Sequence, residues 1–310
     1  ILIAPATRDL LASYLHGLQH GPILMSLSAA RTRNCPVMMI PSMHADLADD
    51  PVTSELVTEV EKLGIKVHWG QENEGKRKTP PHDEIVARFS HYVNRLKPNR
   101  KSVVITLGAT RSPIDDIRYV QNTSSGATGF QIADYLHRHG HDVTCVAGLT
   151  NYTRPEWLPL TLSADKPDDM LAELNALAND EIDAWIHAAA VLDYVVKSPA
   201  EGKLASQQGP LTVELIESSK HILELKKKCS DAVRIGFKLE TGIKQKELVR
   251  RAFSQLEYAE MTAVVANRLE DINDDTKPRA YLVDSTGADY TLQTMLDVCV
   301  AITTIIERGV

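Results

Sequence analysis

Cysteine is scarce in this chain: Cys35, Cys145, Cys229 and Cys299 are the only four in 310 residues, and none falls in a C-x-x-C pair or at a metal-ligand spacing. That scatter argues against a disulfide framework and a zinc site, and fits a reducing, cytoplasmic compartment. Long apolar runs are missing too, since no stretch approaches the roughly 18 apolar residues of a membrane span. The first residues, Ile1 to Pro5, lack the charged-then-apolar order of a signal peptide. Positive charge is in deficit. With 34 lysines and arginines against 41 acidic residues the net charge is −7, so no basic face is available to release counterions from a nucleic acid, although local basic pockets for phosphates are compatible with it. No internal repeat or low-complexity tract is present.

What is there is ordinary globular composition, 43% hydrophobic and 24% charged, in a chain long enough for two domains. The first third alternates strand and helix. Ile1 to Ala4, Pro36 to Ile40 and Ile65 to Trp69 read as strands, with helices over Thr7 to His16 and Pro51 to Leu63, a pattern that predicts a parallel sheet covered by helices. An open doubly wound sheet usually has about five strands, and roughly three precede the polar stretch Gln71 to Pro81, so the expectation is an incomplete, flavodoxin-like α/β domain lacking its N-terminal half. A helix follows over Asp83 to Leu96, with Ile85, Val86, Phe89, Val93 and Leu96 at helical spacing. Lys97 to Lys101 contain no apolar residue. The domain boundary is placed there, giving 1–97 and 98–310.

The second domain opens on the stretch Val103 to Leu136. Val103, Val104, Ile105 and Thr106 read as a buried strand that breaks at Gly108, passes a long polar loop and resumes as a helix after Gly129. Ser124, Ser125, Gly126 and Gly129 would stand at that helix's start, where unpaired N–H groups and the dipole favour a phosphate or carboxylate. Such a turn, taken alone, also serves merely as a helix cap. Further strands are expected at Val143 to Ala147 and at Ala184 to Val191. The small residues Ala188, Ala189 and Ala190 would let a flat ring lie against the backbone, and Asp193 ends the strand where open α/β sheets bind ligands or simply caps the next turn. The fold class predicted is α/β, a Rossmann-like doubly wound parallel sheet behind the incomplete first domain. A dinucleotide-dependent dehydrogenase is a competitor on shape, but about twenty residues separate Gly108 from Gly129, so no G-x-G-x-x-G lies behind the first strand.

The pieces Thr106, Gly108, Thr110, Arg111, Pro113, Ile114 and Asp115, then Arg118 and Tyr119, then Asn122, Ser124, Ser125, Gly126 and Gly129 closely resemble the signature of phosphopantothenate–cysteine ligases of coenzyme A biosynthesis. The later strings AAAVLDY, GKLAS, SSKHIL, IGFKLET and VVAN are similar to further elements of that family. The resemblance implies Asn122 as the residue holding and polarising an acyl-nucleotidylate, with Lys203 on the triphosphate. It implies Gly108, Ala188, Ala189, Ala190, Asp193, His221, Ile222 and Phe237 around the nucleotide, and Arg118, Ser124, Ser125, Gly126 and Asn267 around the phosphate of 4′-phosphopantothenate. It further implies Mg2+ with CTP, ATP being the alternative, cysteine as co-substrate, and a homodimer. Where the family often carries cations, this sequence has Ala127, Gln255 and Ala259, so Lys238, Lys244, Arg250 or Arg251 would have to hold the polyphosphate, or activity would be reduced. A ligand-binding or regulatory scaffold is the non-enzymatic alternative.

Ile3 to Thr7 (IAPAT) and Pro41 to Thr53 are similar to elements of flavin-dependent phosphopantothenoylcysteine decarboxylases. The whole chain therefore resembles a bifunctional decarboxylase–ligase of archaeal type with a truncated first part. That similarity points to Thr7, Met43 and His44 as residual FMN-site residues. The stretch Trp69 to Pro80 has no cysteine for a proton donor, and decarboxylation is not expected of this chain.

Overall fold

The computed structural model describes residues 1–309 apart from Pro159, Asp180, Gln207, Gln208, Ser230 and Ala288. Two compact units form, Ile1–Leu96 and Lys97–Val310. The first runs β1 (Leu2–Ala6), α1 (Arg8–Leu15), α2 (Pro22–Thr32), β2 (Met38–Pro41), β3 (Met43–His44), α3 (Ala45–Ala48), α4 (Pro51–Lys62), β4 (Lys66–Val67), β5 (Glu72–Asn73), β6 (Lys76–Arg77) and α5 (His82–Asn94). β1, β2 and β4 make a parallel sheet. Alternation along β2 sends Met39 to the cluster of Leu11, Leu24, Leu27 and Val60, and Met38 and Ile40 to the opposite face against Ile85. The Thr7 hydroxyl caps α1 by accepting from Leu10 N, and Asp50 caps α4 while pairing with Arg8 at 2.8 Å.

Three features of this unit depart from the sequence expectation. Helix α2 was not anticipated, because its buried residues Leu24, Leu27 and Ala30 are interleaved with Ile23 and Met25, which are more than half exposed and blur the period. The polar stretch after Trp69 is a hairpin, β5–β6, whose second strand pairs with β3. In α5 the inward face carries Ile85 and Ala87 while Val86 faces solvent, and Leu96 lies exposed beyond the helix end.

The second unit runs β7 (Ser102–Leu107), β8 (Arg111–Pro113), β9 (Tyr119–Gln121), α6 (Ala127–Arg138), β10 (Asp142–Ala147), β11 (Leu160–Ser163), α7 (Pro167–Leu177), β12 (Ala184–His187), β13 (Tyr194–Val196), β14 (Leu215–Glu217) and α8 (His221–Glu224). It continues with β15 (Val233–Glu240), α9 (Gln245–Ala259), β16 (Ala263–Arg268), β17 (Ala280–Asp284), β18 (Asp289–Leu292) and α10 (Met295–Arg308). The main sheet has the order β11-β10-β7-β12-β15-β16-β17-β18, parallel through β16 and antiparallel at its last two strands. The chain winds outward from β7 to β10 and β11, then returns to the other side of β7 at β12. A doubly wound sheet of this kind has its switch point between β7 and β12.

Both faces are covered, which is why these strands read as continuous apolar runs. Val103, Ile105 and Leu107 of β7 pack against Phe130, Ile132, Ala133 and Leu136 of α6. Val104 faces the other way, onto Met170 and Leu174 of α7 and Trp185 of β12. Each fully buried large side chain contributes about 1.5–3 kcal/mol. The helix begins at Ala127 rather than after Gly129, so Gly129 lies inside its first turn. A methyl group there would stand 2.4 Å from Leu107 Cβ. Glycine is what lets the start of α6 close onto β7.

Candidate active site

At the switch point the ends of β7 and β12 are stitched together by main-chain bonds. Gly108 leaves β7 with φ +77, and a side chain there would meet the Leu149 carbonyl at 2.6 Å, so only glycine fits both the turn and the approach. Ala109 exchanges bonds with Leu149 (2.9 and 2.7 Å), Ala190 N donates to the Gly108 carbonyl (2.8 Å), and Thr110 N donates to the Ala190 carbonyl (3.1 Å). Two threonines on the β7 side add side-chain acceptors: Thr106 Oγ1 receives Ala189 N at 3.2 Å and Thr110 Oγ1 receives Leu192 N at 2.9 Å. The half-buried Ala188, Ala189 and Ala190 thus form a small-residue ledge beside Gly108.

Gly126, in a left-handed conformation, is the N-cap of α6, and a side chain there would lie 2.7 Å from Thr150 Cγ2. The Ser125 carbonyl accepts from Asn151 N and Tyr152 N (3.3 and 3.2 Å), which ties the serine-glycine turn to the loop after β10. Ser124 Oγ and Ser125 Oγ accept from Gly126 N and Ala127 N at 3.4 and 3.3 Å. Donors at the start of α6 are therefore met by hydroxyls that an anion can displace.

Asn122 bridges this turn to the ledge. Its backbone N donates to the Thr110 carbonyl (3.3 Å), and its Nδ2 donates to the carbonyls of Ala190 (3.2 Å) and Val191 (3.0 Å). The resemblance implied that this amide polarises an acyl-nucleotidylate. In this geometry both hydrogens of Nδ2 are committed to the main chain.

Asp115 was quoted in the sequence pattern without a role, and it proves to be an organiser. Its wholly buried carboxylate accepts from Ile117 N (2.8 Å), Arg118 N (2.7 Å) and Leu204 N (3.1 Å), and pairs with Arg118 Nη1 at 2.5 Å. Burial alone would raise its pKa; the three N–H donors and the guanidinium outweigh that and hold it below the usual carboxylate value. Arg118 and the loop carrying Lys203 are thus fixed by one anion. Lys203 itself is exposed and has no ion pair among the described residues. An open cleft of about 330 Å3, lined by Asp115, Asp116, Tyr119 and Lys166, borders the same turn.

The other anticipated residues are more scattered. Asp193 is exposed just before β13, its carbonyl accepting from Ser218 N at 2.8 Å. His221 opens α8 and is buried, and desolvation lowers its pKa against the opposing pull of a backbone contact with Pro167 and of the nearby Asp168 and Glu224. The Ile222 carbonyl accepts from Arg234 Nη2, and the side chain packs beside Leu248 and Leu256. Phe237 packs against the main core, and its carbonyl accepts from Gln255 Nε2 (3.3 Å). Asn267, at the end of β16, is buried; with its amide oriented so that Nδ2 donates to the Lys238 carbonyl (3.3 Å), Oδ1 accepts from Arg279 Nη1 (3.2 Å).

Of the cations considered for polyphosphate, Lys238 pairs with Glu240, Arg250 with Glu247, and Arg251 with both acids. Lys244 alone of that group has no ion pair among the described residues. Arg279 is the residue that sequence reasoning missed.

In the first unit, Thr7 and Met43 lie at the carboxyl ends of β1 and β2, linked through the bond from Ser42 N to the Ala6 carbonyl (3.3 Å), and exposed His44 stands beside them at the start of α3. Cys35, the one cysteine of this unit, precedes β2 at its opposite end. No helix among the described residues is long and apolar enough to cross a membrane, and no group of three or more His, Cys, Asp or Glu among them could hold a metal ion.

Residues 99–307 match the family described as DNA/pantothenate metabolism flavoprotein C-terminal domain. The chain belongs to that family. Residues 1–94 match a second family, described as flavoprotein. Among the curated relatives of this chain is the coenzyme A biosynthesis bifunctional protein CoaBC of Thermococcus kodakarensis, 33% identical over 271 residues that cover 87% of this chain and 66% of that protein. The chain thus spans about two thirds of that relative's length. The crystal structure of a CoaBC C-terminal domain is 26% identical, with a TM-score of 0.57 over 69% of this chain and 97% of that one. A Cab2 mutant solved in complex with phosphopantothenate-cysteine, 19% identical with a TM-score of 0.53 over 72% of this chain and 92% of that one, shares the fold.

Proposed function

We propose that the second unit joins the carboxylate of 4′-phosphopantothenate to the amine of cysteine, using a nucleoside triphosphate. The observation that carries this reading is the surface at the switch point, where Gly108, Asn122 and the Ala188–Ala190 ledge are linked by hydrogen bonds and the Ser124–Gly126 turn is tied to the loop after β10 that also bonds Ala109. The names printed for CoaBC and for the Cab2 complex agree with it.

A carboxylate is a poor acyl donor because its leaving group would be an oxide ion. Attack of a carboxylate oxygen on the α-phosphorus forms an oxygen–phosphorus bond and expels pyrophosphate, leaving an acyl-nucleotidylate. The cysteine amine then attacks the acyl carbon, the nucleoside monophosphate leaves, and the amine gives up a proton. Catalysis of this kind rests on positioning and charge neutralisation. Lys203, on the loop held by Asp115, follows the polyphosphate as a compact point charge. Ser124, Ser125 and Gly126 offer donors to a phosphate group, with Arg118 and Asn267 beside the phosphopantothenate. The nucleotide lies on the alanine ledge, with Asp193, His221, Ile222 and Phe237 around it. Asn122 exchanges one of its two carbonyl contacts for the acyl oxygen of the intermediate, so that Nδ2 meets the oxyanion only when charge develops there.

CTP is the nucleotide we assign, delivered with Mg2+ bound to its phosphates, and the active assembly is a homodimer. FMN would meet Thr7 and Met43 at the carboxyl ends of β1 and β2, where a flavin would supply redox chemistry. With Cys35 at the other end of that sheet, we assign this unit no decarboxylation.

The test is a panel of CTP, ATP, GTP and UTP with 4′-phosphopantothenate and isotopically labelled cysteine. Pyrophosphate release that requires phosphopantothenate, followed by label in the amide product, supports ligation. Release with no nucleotide in the panel favours a non-catalytic scaffold.

A further inference from the structure

Arg279 sits in the loop before β17 and reaches across the sheet end to the first turn of α6. Its Nη2 donates to Thr128 Oγ1 at 2.9 Å, its Nη1 meets Asn267 Oδ1 at 3.2 Å, and its backbone N is fixed to the Gln293 carbonyl at 3.2 Å. Both side-chain partners are neutral. Among the described residues no carboxylate pairs with it. Burial lowers its pKa, and the neighbouring Cys299 thiol, pushed up to about 12 by burial, is uncharged at neutral pH.

A half-buried guanidinium without a counter-ion is an unfavourable arrangement, and here it is compounded by the positive end of the α6 dipole. Among the described residues only two of its side-chain N–H groups have partners, so the remaining donors of the fork are open to an acceptor. Three elements hold it rigidly: the end of β18 through its main chain, α6 through Thr128 and the end of β16 through Asn267. Lys238, Arg250 and Arg251 by contrast are ion-paired with Glu240 and Glu247.

We infer that Arg279 is a phosphoryl-binding residue, which together with Thr128 and the start of α6 receives a phosphate group of one of the substrates. The inference rests on the ligase reading for the identity of those substrates. The phosphoryl group comes either from the nucleotide's polyphosphate or from the phosphate of 4′-phosphopantothenate. Fork-like pairing with a phosphate is a geometry that lysine does not reproduce.

The experiment is calorimetric titration of the full chain and of its Arg279→Gln and Arg279→Lys variants. The ligands are inorganic pyrophosphate, CTP, ATP and 4′-phosphopantothenate, with cytidine, adenosine and pantothenate as unphosphorylated controls. Arg279→Gln is expected to weaken pyrophosphate and one of the two phosphorylated substrate types by about 10- to 100-fold, since a charge-assisted bond is lost. The controls should be unchanged, and the substrate that loses affinity identifies the source. Arg279→Lys should fall between the two, and it carries the test if the glutamine variant does not fold.

Without ligand, the melting temperature of Arg279→Gln should be no lower than that of the parent chain. Affinities within twofold of the parent for every phosphorylated ligand overturn the inference. So does an equal loss for the unphosphorylated controls, which marks a purely structural role. Pyrophosphate binding needs no turnover. Arg279-dependent binding in a chain that makes no ligation product removes the ligase reading and keeps this one, and product formation with Arg279-independent binding does the reverse.

Discussion

Gly129→Ala sets two opposing effects against each other, and the distances decide between them. Alanine is the better helix former by about 1 kcal/mol, and position 129 lies in the first turn of α6, so propensity alone predicts a more stable protein. The new Cβ, however, would stand 2.4 Å from Leu107 Cβ and 3.2 Å from its Cδ2. Leu107 Cβ is fixed by the strand backbone and cannot rotate away, so relief requires the helix start to lift from β7. Overpacking of this kind costs about 1–3 kcal/mol, and a contact between two backbone-attached carbons belongs at the upper end. The net loss is therefore about 2 kcal/mol, which for a unit of this size lowers the melting temperature by roughly 4–8 °C. Because the same displacement moves Gly126 and Ser125, affinity for a phosphorylated ligand should fall in parallel. Scanning calorimetry with and without pyrophosphate reads both effects. A melting temperature at or above that of the parent chain would refute the packing argument.

Asp115→Asn should leave the turn's shape but loosen its hold on Arg118 and Leu204, speeding hydrogen exchange at the Leu204 amide; unchanged exchange there contradicts the organising role. Because the folded-state pKa of Asp115 is depressed, its stabilisation is present above the ordinary carboxylate value of 3.8 and is lost as pH falls through the folded value, so the effect is constant at neutral pH. His187 and His141 are held neutral by burial, with pKa values near about 3 and about 4. Between the unfolded value of 6.5 and those values the unfolded chain binds the additional proton, so stability should fall on acidification by about 1.4 kcal/mol per pH unit for each histidine and level off above pH 6.5. A flat urea-unfolding profile over that window would be inconsistent with neutral buried rings. Lys203→Ala, at an exposed site, should change stability by no more than about 0.5 kcal/mol while lowering turnover at least tenfold; equal turnover removes it from the polyphosphate site.

Strands β7, β10 and β12 were legible because burial on both faces leaves short apolar runs such as Val103 to Ile105 and Cys145 to Ala147. The glycine positions were legible for a different reason: Gly108 and Gly126 take left-handed conformations that few other residues accept. Hairpin β8–β9 was not legible, since it is short and its residues, among them Arg111 and Tyr119, are polar or exposed and show no alternation toward a core. Arg279 could not be found from spacing at all. It meets Thr128 across 151 residues of sequence, and only the sheet order places the loop before β17 over the start of α6. The anchoring of Asn122 shows the same limit. An amide beside a glycine turn can be recognised in a string of letters, but its two bonds to the Ala190 and Val191 carbonyls exist only in the fold.

The measurement that bears most directly on the switch-point site is rapid-quench mass spectrometry of the parent chain and Asn122→Asp with CTP, 4′-phosphopantothenate and labelled cysteine. A carboxylate at position 122 repels the carbonyls that the amide now binds and cannot donate to the acyl oxygen. The account predicts that the variant still releases pyrophosphate and accumulates the acyl-nucleotidylate, while label fails to enter the amide product. Ligation by the variant at the parent rate, or loss of both half-reactions with the fold intact, would contradict it.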